Sequence, residues 1–223
     1  MIGVFDSGRG GIASLIRIRR ALPMLDIAYL ADRKNAPYGT KSKAELCELV
    51  EHDIARLKAF GVDEILIACC TAGTVYKSLK PSVQRGVFPI IERCAQTAAA
   101  MTDTGRVALV ATEATVKSGA FGQALQKYGK ELSLSVPLQS LVGIVEAGKP
   151  YTAAQGIIKG AAEKIKMSGA DTLILGCTHF SYLLDVFESE FPDIKIVDAA
   201  TVGATLMIER HRGVRERGRL IYL

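Results

Sequence analysis

Two stretches of this chain read alike at a distance of 108 residues. Val62-Asp-Glu-Ile-Leu-Ile-Ala-Cys69 and Ala170-Asp-Thr-Leu-Ile-Leu-Gly-Cys177 share one register: an Asp precedes a Cys by six positions, with an apolar strand between them. The spacing is about half of the 223-residue chain. A weaker echo pairs Ile2-Gly-Val-Phe-Asp6 with Ala108-Leu-Val-Ala-Thr112. Repetition at a long period means that one structural plan is used twice. Two related halves are expected, residues 1–97 plus 206–223 carrying Asp6 and Cys69, and residues 98–205 carrying Cys177 and His179. The boundary falls near 98–105, where the sequence turns small and polar, and the C-terminal helix is expected to fold back onto the first half.

The local pattern sets the class of each half. Short apolar runs at 2–5, 26–31, 64–68, 106–111, 132–136, 172–175 and 194–197 read as strands. Amphipathic stretches at 13–21, 42–60, 71–79, 153–167, 181–191 and 203–210 read as helices. Ser42 with Glu45 three residues on has the form of a capping box. Apolar strands that alternate with helices make parallel sheets, because the crossovers cover both faces. The expected fold is therefore α/β: two similar parallel-sheet α/β domains related by pseudo-symmetry, with the active site in the cleft between them.

Composition removes several classes of function. Hydrophobic residues at 49% and charged residues at 23% exclude a disordered chain. No apolar run reaches the roughly 18 residues of a membrane span, and the first residues lack the basic and apolar regions of a signal peptide. Five scattered Cys make a poor disulfide framework and point to a reducing cytoplasm. With no Trp and 6% aromatics, a base-stacking surface is poorly supplied, and no nucleic-acid-binding motif is present. The net charge of +5 gathers at the C-terminus, where Arg210, Arg212, Arg215, Arg217 and Arg219 face Glu209 and Glu216; this reads as a solvated helix end.

The repeated Cys carries the chemistry. Cys69 and Cys177 each end a buried strand, and Thr71 or Thr178 opens the next helix. Open α/β sheets bind ligands at the carboxyl ends of their strands. Helix N-termini there hold anions and lower a thiol pKa. Two thiols facing one cleft suit a two-base reaction, in which one removes a proton from carbon and the other returns a proton to the opposite face, with no cofactor. A zinc site of Cys69, Cys70, Cys177 and His179 competes, but adjacent Cys ligands are poor knuckle spacing. Cys47 and Cys94 read as buried hydrophobes.

Five ordered motifs then resemble those of bacterial glutamate racemases, in the cofactor-independent aspartate/glutamate racemase superfamily. They are Asp6-Ser-Gly-Arg-Gly-Gly11, Asn35-Ala-Pro-Tyr-Gly-Thr-Lys-Ser42, Ala68-Cys-Cys-Thr-Ala72, Ala114-Thr-Val-Lys-Ser118 and Leu175-Gly-Cys-Thr-His179. The resemblance runs from about residue 2 to residue 205 and implies interconversion of L- and D-glutamate, with the D-isomer feeding peptidoglycan. It implies Cys69 and Cys177 as the catalytic thiols, Asp6 assisting the first, and His179 with Glu146 assisting the second. It assigns the substrate, a small acidic amino acid, to Ser7, Pro37, Tyr38, Gly39, Cys70, Thr71, Thr112, Thr115 and Thr178. It implies neither metal nor cofactor, and it allows a homodimer, since such racemases are often dimers.

The chain also departs from the family pattern. Cys70 stands where the family usually has Asn, Arg9 where an apolar residue is usual, and Arg33 and Lys34 where residues are typically small. Phe180-Ser181 replaces the common Tyr-Pro, and Leu134-Ser-Val-Pro137 lacks the usual cysteine. Two alternatives therefore stand beside glutamate racemisation. One is a relative that isomerises or decarboxylates another small acid, such as aspartate or a diacid. The other is a racemase-like binding protein that has lost its chemistry.

Overall fold

A computed structural model describes residues 1–149 and 151–223. Its described strands are β1 (Ile2–Asp6), β2 (Ile27–Ala31), β3 (Glu64–Ile67), β4 (Val87–Pro89), β5 (Arg106–Ala111), β6 (Glu131–Pro137), β7 (Thr172–Gly176), β8 (Lys195–Asp198) and β9 (Leu220–Tyr222). All pair in parallel. The first sheet has the order β4-β3-β1-β2-β9, and the second has β6-β5-β7-β8. Read from the other edge, the second is β8-β7-β5-β6, so β5 to β8 repeat β1 to β4 strand for strand. The echo in the sequence is thus a repeat of topology. Cys69 follows β3 and Cys177 follows β7, its counterpart.

The inner strands are buried on both faces. Every residue of β1 and β7 is buried, Leu173, Ile174 and Leu175 of β7 each at 0% exposure. This follows from helices covering a parallel sheet on both sides. The helix Lys43–Ala59 sends Leu46, Val50, Ile54 and Leu57 into the core of the first sheet. It begins at Ser42 with the full capping box, the Ser42 side chain accepting from the Glu45 amide and the Glu45 side chain accepting from the Ser42 amide.

Three stretches differ from their sequence expectation. Residues 71–79 form no single helix. A short turn, Cys70–Gly73, is followed by a 3-10 turn, Tyr76–Ser78. The Thr74 hydroxyl donates to the Thr71 carbonyl at 2.7 Å and so takes an acceptor that a continuing helix would use. Residues 181–191 begin as the 3-10 segment Thr178–Leu183 and become α-helical only at Leu184–Glu190. The C-terminal helix begins at Ala199 rather than 203, capped by Asp198, whose side chain accepts from the Thr201 amide.

Other elements have no counterpart in the sequence reading. The helix Ile90–Met101 crosses the region taken as a boundary and buries Cys94, Ala95 and Ala98 against Val107, Leu109 and Ile174. Helices Glu113–Ser118, Ala120–Gln126 and Gln139–Glu146, and strands β4 and β9, were also not read. The helix Ala199–Arg210 serves both cores. Ala199 and Val202 pack with the second sheet, while Ala204 and Met207 pack with Ile2, Val4 and Ile18.

The basic C-terminus is tied down. Arg210 donates to Glu64 at 2.9 Å through Nε, and the Arg219 guanidinium donates to buried Asp26 at 2.6 and 2.9 Å. Glu216 accepts from the Met1 amino group at 2.9 Å and from the Asp26 amide at 2.7 Å. β9 lies along β2 as a fifth strand; Arg210 and Arg219 are tied by their guanidinium groups to Glu64 and Asp26, and all five arginines of the stretch remain exposed as expected.

The segment that carries His179 is held by aromatic packing. Phe180 meets Phe187 at 5.9 Å between ring centres, and Phe187 stacks on Phe191 at 6.4 Å. All three are at most 1% exposed. We expect Phe187→Ala to destabilise the protein by about 3–5 kcal/mol, the usual cost of truncating a buried Phe. Urea unfolding followed by circular dichroism measures it.

Candidate active site

The carboxyl ends of β1, β3, β5 and β7 meet between the two sheets. Asp6 is the last residue of β1 and has no exposure. Its Oδ1 accepts from the Gly8 amide at 2.8 Å, and its Oδ2 accepts from the Thr178 hydroxyl of the second half at 3.0 Å. Burial pushes the Asp6 carboxyl up, although the charge of His179 and these hydrogen bonds oppose the shift.

Cys69 caps the turn Cys70–Gly73. Its Sγ lies 3.3 Å from the Ser7 hydroxyl and accepts from the Ala72 amide at 3.5 Å. The sequence reading expected the following helix to lower this thiol's pKa. The structure gives the reverse, with burial first and the charge of Asp6 second pushing Cys69 up to about 12. The turn has only four residues, so its dipole is too weak to offset desolvation.

Cys177 is set differently. It precedes the 3-10 segment Thr178–Leu183, and its Sγ lies 3.7 Å from Nδ1 of His179. The other ring nitrogen of His179 is 2.6 Å from Oε1 of Glu146, which also accepts from the Arg9 amide at 3.0 Å. Burial works against a charged imidazole. The hydrogen bonds to Cys177 and Glu146 outweigh it and raise His179 to about 10. The bond from His179 holds the Glu146 carboxyl below its ordinary value. A sulfur, an imidazolium and a carboxylate therefore stand in line on this side. The stability carried by the His179 charge is complete below its ordinary 6.5 and is lost as pH rises through about 10.

Hydroxyls bridge the halves on another wall. The Thr71 hydroxyl is 2.9 Å from that of Thr112 and 3.1 Å from that of Thr115, and Thr112 donates to Thr115 at 2.8 Å. All three residues are buried. Such hydroxyls can rotate to donate to a carboxylate without a fixed cation. The glycines of the first loop have a packing reason. A Cβ on Gly10 would run into the Thr178 hydroxyl and Nδ1 of His179.

The structure thus gathers Asp6, Ser7, Cys69, Thr71, Thr112, Thr115, Glu146, Cys177, Thr178 and His179. Two expected residues present themselves otherwise. The Tyr38 hydroxyl is engaged by Asp32 and Asp53, which leaves the backbone of Pro37, Tyr38 and Gly39 at the rim. Cys70 packs in an apolar cluster with Ile90, Ile91 and Cys94, and burial pushes its thiol well above the ordinary value. Among the described residues, no three His, Cys, Asp or Glu side chains gather as metal ligands. Arg9, Arg33 and Lys34 are exposed.

Three residues at the site were not read from the sequence. Tyr29 and Tyr182 donate at 3.1 Å to the carbonyls of Gly8 and Arg9 and hold the first loop. Gln139 lies against Gly39, and its Oε1 accepts from the Glu113 amide at 3.4 Å. Their partners are backbone groups, which leave no mark in sequence spacing.

Two topologically repeated α/β halves with a thiol at the end of equivalent strands have the frame of an amino-acid racemase. The sequence matches the family described as Asp/Glu/Hydantoin racemase over residues 21–207, and the chain belongs to that family. Among its relatives is a glutamate racemase of Persephonella marina, 32% identical, the match covering 97% of this chain and 85% of the relative. A glutamate racemase of Desulforudis audaxviator is 37% identical over 95% of this chain and 80% of its own length. A crystal structure of a Bacillus anthracis glutamate racemase superposes with a TM-score of 0.89 at 29% identity, over 100% of this chain and 86% of the other.

The His179 arrangement has a direct readout. Nitrogen-15 NMR of ring-labelled protein is expected to show His179 still doubly protonated at about pH 8, well above the range of an unperturbed histidine. Glu146→Gln removes the negative charge that supports the imidazolium, so the titration midpoint of His179 should fall toward 6.5.

Proposed function

We propose that the chain is a glutamate racemase that uses Cys69 and Cys177 as paired proton carriers and needs no cofactor. The observation that carries this reading is the matched placement of two thiols, each at the end of an equivalent strand and each with its own acid–base partners. Residues 1–97 with 206–223 supply Asp6, Ser7 and Cys69. Residues 98–205 supply Glu146, Cys177, Thr178 and His179.

The two sides differ in charge, and the difference assigns roles. On the Cys177 side, the imidazolium of His179 lies 3.7 Å from the sulfur and puts a positive charge beside it. That sulfur is the base in the direction that starts there. It takes the Cα proton of one enantiomer. Cys69, held up to about 12 as a thiol, then delivers its proton to the opposite face. One S–H bond forms and one breaks, so the protein ends with its proton on the other sulfur. In the reverse direction Cys69 is the base, and the raised carboxyl of Asp6 stores or relays its proton. The hydroxyls of Ser7, Thr71, Thr112, Thr115 and Thr178, with the backbone amides of Tyr38 and Gly39 in the turn after Pro37, hold the substrate carboxylates.

The substrate is a small acidic amino acid, and the names of the relatives favour glutamate, whose D-isomer would supply peptidoglycan synthesis. Among the described residues no helix is long and apolar enough to cross a membrane. A second reading rests on Cys70. A buried thiol in an apolar cluster does not replace the donors and acceptors of an amide, which favours a different small acid such as aspartate.

Proton NMR in D₂O separates these readings. Loss of the α-proton signal from both L- and D-glutamate is the expected result. Loss from aspartate alone would select the second reading, and loss from neither would refute racemisation of acidic amino acids. Cys69→Ser and Cys177→Ser should each slow racemisation by about 10²–10⁴-fold, the usual worth of a positioned acid or base. Full activity in either variant would refute the two-thiol mechanism.

A further inference from the structure

The helix Lys43–Ala59 has an acid among its core residues. Its inward positions are Leu46, Val50, Ile54 and Leu57, yet Asp53 is also buried, at 1% exposure. A buried carboxyl is costly unless its environment compensates. The compensation comes from the turn at the rim of the site.

Tyr38 opens that turn, the 3-10 segment Tyr38–Thr40. Its ring is buried edge-on to Phe5, with 6.4 Å between centres. Its hydroxyl lies between two carboxyls, 2.7 Å from Oδ2 of Asp32 and 3.3 Å from Oδ2 of Asp53. Asp32 further accepts from Nδ2 of Asn35 at 3.0 and 2.9 Å. Gly39, the next residue, lies against Gln139 of the second half.

The protons can be counted. Tyr38 has one, and the short contact places it on the bond to Asp32. Its oxygen can then only accept toward Asp53. A carboxylate there would meet lone pairs with lone pairs, whereas a protonated carboxyl donates.

We propose that Asp53 is a positioning residue which, as a neutral acid, donates to the Tyr38 hydroxyl while that hydroxyl donates to Asp32, and so fixes the turn 38–40 at the rim of the site. The role in substrate binding rests on the racemase reading, while the proton chain itself does not. Asp53 acts through Tyr38 and touches no reacting atom.

Three charged or titratable groups bear most on Asp53: Asp32 in the loop after β2, Tyr38 in the turn, and Arg56 on its own helix. Burial and the charge of Asp32 raise the Asp53 carboxyl. Arg56, half exposed with Nη1 at 3.3 Å, pulls it down without cancelling the rise. The chain of hydrogen bonds is therefore complete at low pH and is lost as pH rises through the raised value.

The test compares wild type with Asp53→Asn, Asp53→Ala and Tyr38→Phe, each checked for folding by circular dichroism. Asn keeps a donor at this position at every pH, and Ala does not. Infrared spectra of wild type should contain a buried protonated-carboxyl band that Asp53→Asn removes. Hydrogen exchange at the Lys41 amide, which donates to the Tyr38 carbonyl at 3.1 Å, should speed up in Asp53→Ala and in Tyr38→Phe but not in Asp53→Asn. For glutamate, Asp53→Ala should raise KM about tenfold, the scale of one buried hydrogen bond, and leave kcat nearly unchanged. Asp53→Asn should keep the wild-type KM and abolish its rise with pH. An unchanged infrared spectrum in Asp53→Asn, or exchange that is equally fast in the Asn and Ala variants, overturns the proposal. If wild type turns over no acidic amino acid, the racemase reading fails, and the infrared and exchange results still decide the proton chain.

Discussion

A carboxylate sealed from water must find its partners inside the protein, and Asp6 is sealed completely. It ends the central strand of the first sheet, and its two oxygens require donors from different places. One comes from its own loop and the other from Thr178 in the second half. Much of the neighbourhood follows from this demand. The loop after β1 must turn tightly enough to present the Gly8 amide. The second half must come close enough for a threonine hydroxyl to reach across, and Gly10 leaves it the space. Among the described residues, every buried side-chain nitrogen or oxygen has a partner, so Asp6 is one member of a fully satisfied polar interior.

The repeat in the fold is symmetric, but its chemistry is not. β3 and β7 occupy equivalent places and end in equivalent cysteines. One sulfur faces a buried acid and a serine hydroxyl, the other an imidazole braced by a glutamate. Reversible proton transfer between mirror-image substrates needs one sulfur with a proton and one without at each start, and the two exchange those states with every turnover. Topological duplication places a sulfur at the end of each equivalent strand, and divergence of the side chains around them gives each sulfur different partners.

The architecture was legible where periodicity carries it. Apolar runs of strand length and the doubled Asp-to-Cys register were enough for two parallel-sheet halves. The capping box at Ser42 was readable because its two bonds are local. The thiols, Asp6, His179 and the threonines were found because they sit in compact motifs. What escaped was non-local or weakly patterned. β9 has three residues and exists because Arg219 reaches Asp26 across almost the whole chain. The helix Ile90–Met101 is rich in alanine, and its small residues resembled a linker. Tyr29 and Tyr182 act on carbonyls, and Asp53 acts on a hydroxyl far from it in sequence. The sign of the Cys69 shift also escaped, because a strand-end position suggests a helix dipole but says nothing of the depth of burial.

The helix Ala199–Arg210 has a consequence for how the molecule comes apart. It lends Ala199 and Val202 to one hydrophobic core and Ala204 and Met207 to the other, from adjoining turns of the same rod. Each half also has a core that draws nothing from this helix, around Leu46, Val50 and Ile54 in the first and around Phe180, Phe187 and Phe191 in the second. Melting that helix would strip side chains from both of the cores it touches, which couples the stability of the two lobes. The duplication visible in the strands does not extend to this shared rod, and a foreign copy of either lobe would have to fit its side chains as well.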